Sequence, residues 1–399
     1  MWIKPVTVSR AMMPGYVRLE AKFGQQSTGA ESLWFDVPET LQKEISDQGN
    51  FWLQAVLPLA FQLQEPLECS VPADAVWLQN ARQTMQIWNR WYPDLKPVEI
   101  KAAAISSPAP ARENRTGLFF TGGVDSFHSL FDFEEPGASA GVVKKAVVDD
   151  LIYVCGYDIP LRDRAALDRK ARTLANIARE LGKNLVIITT NLRETRLRKL
   201  DWGKIMHGPA LGAAGLILEG HCSRILFSAS SNHQDDATPW GTHPLTDELL
   251  SSERLRFIRY GGAIARVEKT AVVAKSPVAL NHLHVCWAEK SDTNCGVCEK
   301  CVRTMLTLEI FGALKQATCF PSGSVLDKLP GIRVTNPLAV PLWEELKAPA
   351  LAHGRADIVR AIEACLANSR PGLMKRGFGI LRGFEQRFRA ARKARFRRA

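Results

Sequence analysis

Apolar and polar positions alternate with period two along YVRLEAKF (16–23), and SLWFDVP (32–38) is a second, shorter run of the same kind. Both predict strands with one buried face. Between Ala75 and Trp91 the period lengthens, placing Val76, Ala81, Met85, Trp88 and Trp91 near one face of a helix that Tyr92-Pro93 would stop. From Gly117 onward the two periods take turns. LFF (118–120), AVVDDLIYVCGYD (146–158), NLVIITT (184–190) and RILFSAS (224–230) predict strands; RDRAALDRKARTLANIARELG (162–182) and HGPALGAAGLILEGHC (207–222) predict helices. Such alternation predicts a parallel sheet covered by helices on both faces, with ligands at the carboxyl ends of its strands.

Residues 302–369 are expected to be mostly helical, most clearly RADIVRAIEACLANS (355–369). No internal repeat interrupts the chain. At 399 residues more than one domain is expected. Residues 1–112 form an N-terminal α+β accessory domain, closed by the linker-like SSPAPARENR (106–115). An α/β domain over 113–318, a helical segment over 319–369 and a tail over 370–399 follow. The tryptophan-dense N-terminal domain calls for an aromatic core.

Charge changes this picture at one end only. Of a net +11, almost all lies between Arg370 and Ala399, where eleven Lys/Arg stand with a single acid, Glu385. The body is close to neutral, which argues against a nucleic-acid-binding core. Phe378, Leu381, Phe384, Phe388 and Ala391 recur at helical spacing among those arginines. The tail is therefore expected to be either a solvated end or an amphipathic contact with an anionic membrane surface or an acidic partner. The longest apolar run, Ala210 to Leu218, is too short to span a bilayer, and MWIKPVTVSR has no apolar core of a secretory signal. Nine cysteines, four of them clustered, suit a reducing cytoplasm and a metal site. A cytoplasmic protein, peripheral to the membrane at most through its tail, is expected.

Two stretches carry candidate chemistry. TGGVDS (121–126) breaks the strand at 118–120 and opens a helix-compatible run. Glycines let backbone N–H groups converge on phosphate oxygens, and a helix N-terminus favours negative charge. Gly122, Gly123 and Val124 would offer backbone, Thr121 and Ser126 hydroxyls. Asp125 would brace the turn or reach phosphate through Mg²⁺. No lysine follows the glycines, so this is neither a Walker A loop nor G-x-G-x-x-G. CWAEKSDTNCGVCEKC (286–301) spaces Cys286, Cys295, Cys298 and Cys301 as C-x8-C-x2-C-x2-C. Four thiolates so placed can close a structural Zn²⁺ site; an iron–sulfur cluster is the lesser alternative.

TGGVDS resembles the SGGxDS signature of the PP-loop ATP pyrophosphatases, with Thr121 in place of serine. Joined to the four-cysteine spacing, it is most similar to the 7-cyano-7-deazaguanine synthases. The likeness continues loosely through HGPALGAAGLILEG, RILFSASSNHQDD, WGTHPLTDELLSS and RVEKTAVVAKSP, covering about residues 117–305. It implies a doubly wound parallel sheet of the PP-loop, HUP-like type, extended here by the N-terminal α+β unit and the helical C-terminal segment.

It also implies an enzyme that uses ATP and Mg²⁺. A substrate oxygen, of a carboxylate on a small molecule or peptide, is adenylated with loss of pyrophosphate, and ammonia or an amine then displaces AMP. Asp125, Ser126 and Lys269 take the catalytic roles, Lys269 as charge for departing pyrophosphate. Thr121, Gly122, Gly123, Val124, Asp125 and Ser126 hold the phosphates, and Tyr153 to Asp158, with Cys155, the adenine. His207, His233, Asp235, Asp236, His243 and Asp247 are the substrate-side candidates. The segment 231–247 does not reproduce the family's purine-recognition residues, so fold and ATP chemistry transfer better than substrate. Two alternatives stand beside this one. A sulfur-inserting or other tRNA- or nucleobase-modifying PP-loop enzyme would need a reactive cysteine, Cys155 or Cys222. A non-catalytic nucleotide sensor or zinc-ribbon binding protein would need none.

Overall fold

The computed structural model describes residues 1–25, 29–106, 114–135, 147–230, 239–286 and 293–369. His233, Asp235, Asp236, most of the expected linker and the whole basic tail lie outside these residues.

The chain divides into two compact units, Met1–Ile264 and Ala265–Ala399. The first opens with an antiparallel meander, β1 (Trp2–Arg10), β2 (Tyr16–Gly24) and β3 (Glu31–Pro38), in which the two strands expected from the sequence are β2 and β3. Next come α1 (Asn50–Leu63), β4 (Leu67–Cys69), β5 (Ala73–Asp74), α2 (Ala75–Trp91), β6 (Ile100–Lys101) and β7 (Ala104–Ile105). Helix α2 has the expected limits, capped by Asp74, whose carboxylate accepts the Trp77 N–H at 2.8 Å. Its inner face is rotated from expectation. Trp77, Leu78, Ala81, Met85 and Trp88 are buried, while Val76 is 40% exposed.

The alternating region follows as β8 (Thr116–Phe119), α3 (Val124–Glu134), β9 (Asp150–Cys155), α4 (Arg164–Glu180), β10 (Asn184–Thr190), α5 (His207–Leu216), β11 (Arg224–Ser228) and β12 (Arg256–Tyr260). Its strands pair in parallel in the order β12-β11-β8-β9-β10. The order reverses at β8, with β9 on one side and β11 on the other. In a doubly wound sheet that crevice, beyond the carboxyl ends, is where ligands bind.

A separate N-terminal domain ending near residue 112 is not what the sheet builds. Strand β3 pairs antiparallel with β10, Phe35 opposite Thr190, and the meander continues the parallel strands into one ten-stranded sheet. Asn191 locks the join, accepting from the Trp34 N–H and donating to the Ser32 carbonyl, each at 2.9 Å. An open β10 would expose a row of unpaired backbone groups; β3 pairs with its last two residues, Thr189 and Thr190. One apolar core then runs through the meander, α1, α5 and the parallel strands. Helix α1 is buried almost all round and packs on α5.

In the second unit, α6 (Arg266–Val273), α7 (Pro277–His282) and α8 (Glu299–Ile310) are followed by short helical turns and a helix over 356–369. Val302, Met305, Leu306 and Ile310 of α8 are buried, as are Ile358, Ile362 and Cys365 of the last helix. Trp343 is fully buried, and its indole N–H donates to Glu299 at 2.7 Å. No helix among the described residues is long and apolar enough to cross a membrane.

Candidate functional site

Strand β8 is buried throughout, and Phe120 extends its ladder by donating to the Ile152 carbonyl at 2.8 Å. The chain must then leave the sheet within three residues. Gly122 does this with φ +72°, a left-handed conformation that costs any residue with a Cβ. Gly123, the N-cap of α3, is extended at φ −86° and ψ 169°. Among the described residues no side chain caps this helix. Its first intrahelical bond is Phe127 N–H to the Gly123 carbonyl at 3.0 Å, so the amides of Val124, Asp125 and Ser126 have no partner within the helix. Thr121 is exposed and Asp125 half-buried. Ser126 is buried, and its hydroxyl donates to the Gly123 carbonyl at 3.0 Å. Its proton holds the turn, where a phosphate donor was expected.

At the carboxyl end of β9, Tyr153 and Cys155 are buried, and burial pushes the Cys155 thiol up to about 11. Tyr157 is buried beyond them, its hydroxyl donating to the Ala210 carbonyl at 2.6 Å. Trp202 meets Tyr157 edge-on at 5.2 Å, and the Arg193 guanidinium lies 4.5 Å over the Trp202 ring.

Two substrate-side candidates come together here. His207 opens α5 beside Trp202, 5.6 Å between ring centroids. Burial holds its pKa below the ordinary imidazole value against the pull of Asp158, and Arg193 adds to the lowering. Gly208 presses on the segment that carries His243: a Cβ there would stand 2.0 Å from the Gly241 carbonyl oxygen. His243 is buried against Trp91, its Nδ1 accepting the Leu245 N–H at 3.1 Å. Asp247 closes the same turn by accepting from the His243 N–H at 2.8 Å, and it pairs with Arg259 of β12 at 2.9 Å, both side chains buried. Asp247 therefore braces a loop.

In the second unit the four-cysteine spacing closes in space. The Sγ atoms of Cys286, Cys295, Cys298 and Cys301 all lie within 4.8 Å of one another. Cys286 to Cys298 is 3.9 Å and Cys295 to Cys301 is 4.0 Å. A zinc–sulfur distance of ~2.3 Å in a tetrahedron requires sulfur–sulfur edges of ~3.8 Å, so the set fits a metal ion. Gly296, φ +68°, bends the knuckle, and backbone N–H groups of Cys298 and Cys301 point at the sulfurs of Cys295 and Cys298, 3.3 and 3.4 Å away. The buried Asn294 ties the knuckle to the Val285 N–H and to the Leu283 and Cys319 carbonyls. Lys269, on α6, is 2% exposed, which rules out a solvated lysine at a helix start.

The sequence reasoning missed Lys170, a buried lysine of α4 whose Nζ donates to the Thr121 carbonyl at 2.6 Å. Its only signal was a charged residue where the helical period asks for an apolar one. A second group of metal-ligand types, Asp150, His221 and Cys222, sits at the amino end of β9, the far end of the sheet from the glycine turn. Arg115 already occupies both oxygens of Asp150, at 2.8 and 3.1 Å. No family model, curated protein or solved structure matches the chain.

Proposed function

We propose that the chain is an ATP-dependent synthase of the PP-loop type, which adenylates a substrate oxygen and releases pyrophosphate before ammonia or an amine displaces AMP. One observation carries the reading. A buried parallel strand at the point where strand order reverses runs into a glycine turn with φ +72° and then into a helix whose first amides lack intrahelical partners. That arrangement receives a phosphate chain without needing a side-chain cation in the motif itself.

In this reading the amides of Gly123 to Ser126 take the phosphate oxygens, and the Ser126 hydroxyl keeps the turn closed. Asp125 faces the same end of α3 and is the candidate to hold Mg²⁺, which supplies charge neutralisation when bound. The adenine lies toward Tyr153 and Cys155. His207 and His243 flank the acceptor, with His207 held neutral by burial and able to accept a proton from an attacking amine. The four cysteines hold Zn²⁺ as a structural ion, since four protein sulfurs leave no open position. Buried, protonated thiols at Cys155 and Cys222 disfavour the sulfur-inserting alternative, which needs a thiolate.

Incubation of the full chain with Mg²⁺ and α-labelled ATP, with candidate carboxylates and ammonium, tests the proposal. AMP and pyrophosphate are the expected products, together with ATP–pyrophosphate exchange. Formation of ADP and phosphate would rule out PP-loop chemistry, and nucleotide binding with no turnover would leave a sensor.

A further inference from the structure

On α4 the buried positions are Ala166, Leu167, Lys170, Leu174, Ile177 and Ala178. Five of the six are apolar and recur at helical spacing, so the stripe packs α4 onto the sheet. Lys170 breaks the rule at 4% exposure. Lysines are among the side chains least often buried, and a lysine on a packing face ordinarily runs its stem outward to leave the ammonium in water. This one turns inward, and its Nζ is 2.6 Å from the carbonyl of Thr121, the residue before left-handed Gly122. The bond fixes a positive charge at the end of β8, where the first amides of α3 also begin. A local departure from the folding pattern without a packing gain is expected where a site requires it.

We propose that Lys170 is the built-in cation of the glycine turn and contacts the diphosphate part of a bound nucleotide. The inference rests on the nucleotide reading above and deepens it: the motif lacks a lysine of its own, and α4 supplies one from the side. A charge anchored on backbone and shielded from water needs no reorganisation when the anion arrives, and acts more strongly than it would in solvent.

Calorimetric titration of the full chain with magnesium pyrophosphate, ATP and adenosine, for wild type, Lys170→Met and Lys170→Arg, tests this alongside thermal melts. Lys170→Met is expected to fold, to keep adenosine affinity, and to bind pyrophosphate about 10- to 100-fold more weakly, the loss of one charge-assisted hydrogen bond. Lys170→Arg should recover part of that loss. Unchanged pyrophosphate affinity in Lys170→Met overturns the assignment, and so does equal weakening toward adenosine and pyrophosphate, which marks a purely structural role. A wild-type chain that binds neither ATP nor pyrophosphate overturns the nucleotide reading itself and this assignment with it. Should both variants unfold, wild-type crystals soaked with magnesium pyrophosphate decide. Nζ about 3 Å from a phosphate oxygen is expected, and an ammonium beyond hydrogen-bond reach overturns the proposal.

Discussion

His221 Nε2 lies 3.2 Å from a carboxylate oxygen of Asp150, tying the turn after α5 to the first residue of β9. Nδ1 of the same ring contacts Glu44, in the turn after β3, and Arg115 grips Asp150 from the other side. Burial lowers the imidazole pKa, but the pairing with Asp150 and Glu44 outweighs it and leaves His221 above 6.5. Burial raises Asp150, but His221 and Arg115 outweigh it and leave the carboxyl below 3.8.

The signs set a pH window. The raised His221 contributes stability that is complete below 6.5 and is lost as pH climbs through its folded value. The lowered Asp150 contributes stability that is complete above 3.8 and is lost as pH falls through its folded value. The pair thus stabilises most between those two limits. Melting temperatures of wild type and His221→Gln should differ most there and converge as the pH is raised above the window. Parallel curves across the whole range would contradict the assignment.

Stoichiometric zinc is expected in the purified chain, bound by Cys286, Cys295, Cys298 and Cys301. Structural zinc contributes an apparent ~10–16 kcal/mol in small domains, so Cys298→Ser or chelation should unfold the second unit rather than merely slow the protein. Elemental analysis without zinc, together with a wild-type melt for Cys298→Ser, would refute the site.

The two glycines of the turn should behave differently. Gly122→Ala places a Cβ at φ +72° and should cost about 1–2 kcal/mol of stability while weakening nucleotide binding. Gly123 is extended, and alanine adopts that backbone without strain. Any loss of ATP affinity in Gly123→Ala, with an unchanged melt, then reports crowding of the bound phosphate.

Asp247→Ala removes half of a buried ion pair with Arg259 and should cost about 3–5 kcal/mol. A double substitution to apolar residues of similar volume, Asp247→Leu with Arg259→Met, should recover much of it. If Asp247→Ala keeps the wild-type melt and loses only turnover, Asp247 acts in chemistry after all.

Most elements of the alternating region, though not β12, were legible from sequence, as were the glycine turn and the clustering of the four cysteines, because each is written in neighbouring residues. Period two and period 3.6 marked β2, β3, α2, α4 and β10, two glycines after an apolar strand marked the turn, and close spacing marked the four cysteines. Other elements carry ambiguous local signals. Helix α1 is apolar on every side and shows no period, β1 is broken by Pro5 and a register shift, and Val76 was placed inward where Trp77 is. Tertiary structure alone decided that β3 pairs with the end of β10 and joins the meander to the parallel strands in one sheet. It also decided that Gly122 rather than Gly123 carries the left-handed turn, that Asp247 is held by Arg259, and that Lys170 reaches Thr121. These depend on groups brought together from distant positions, where burial and the demand for hydrogen-bond partners choose the contact.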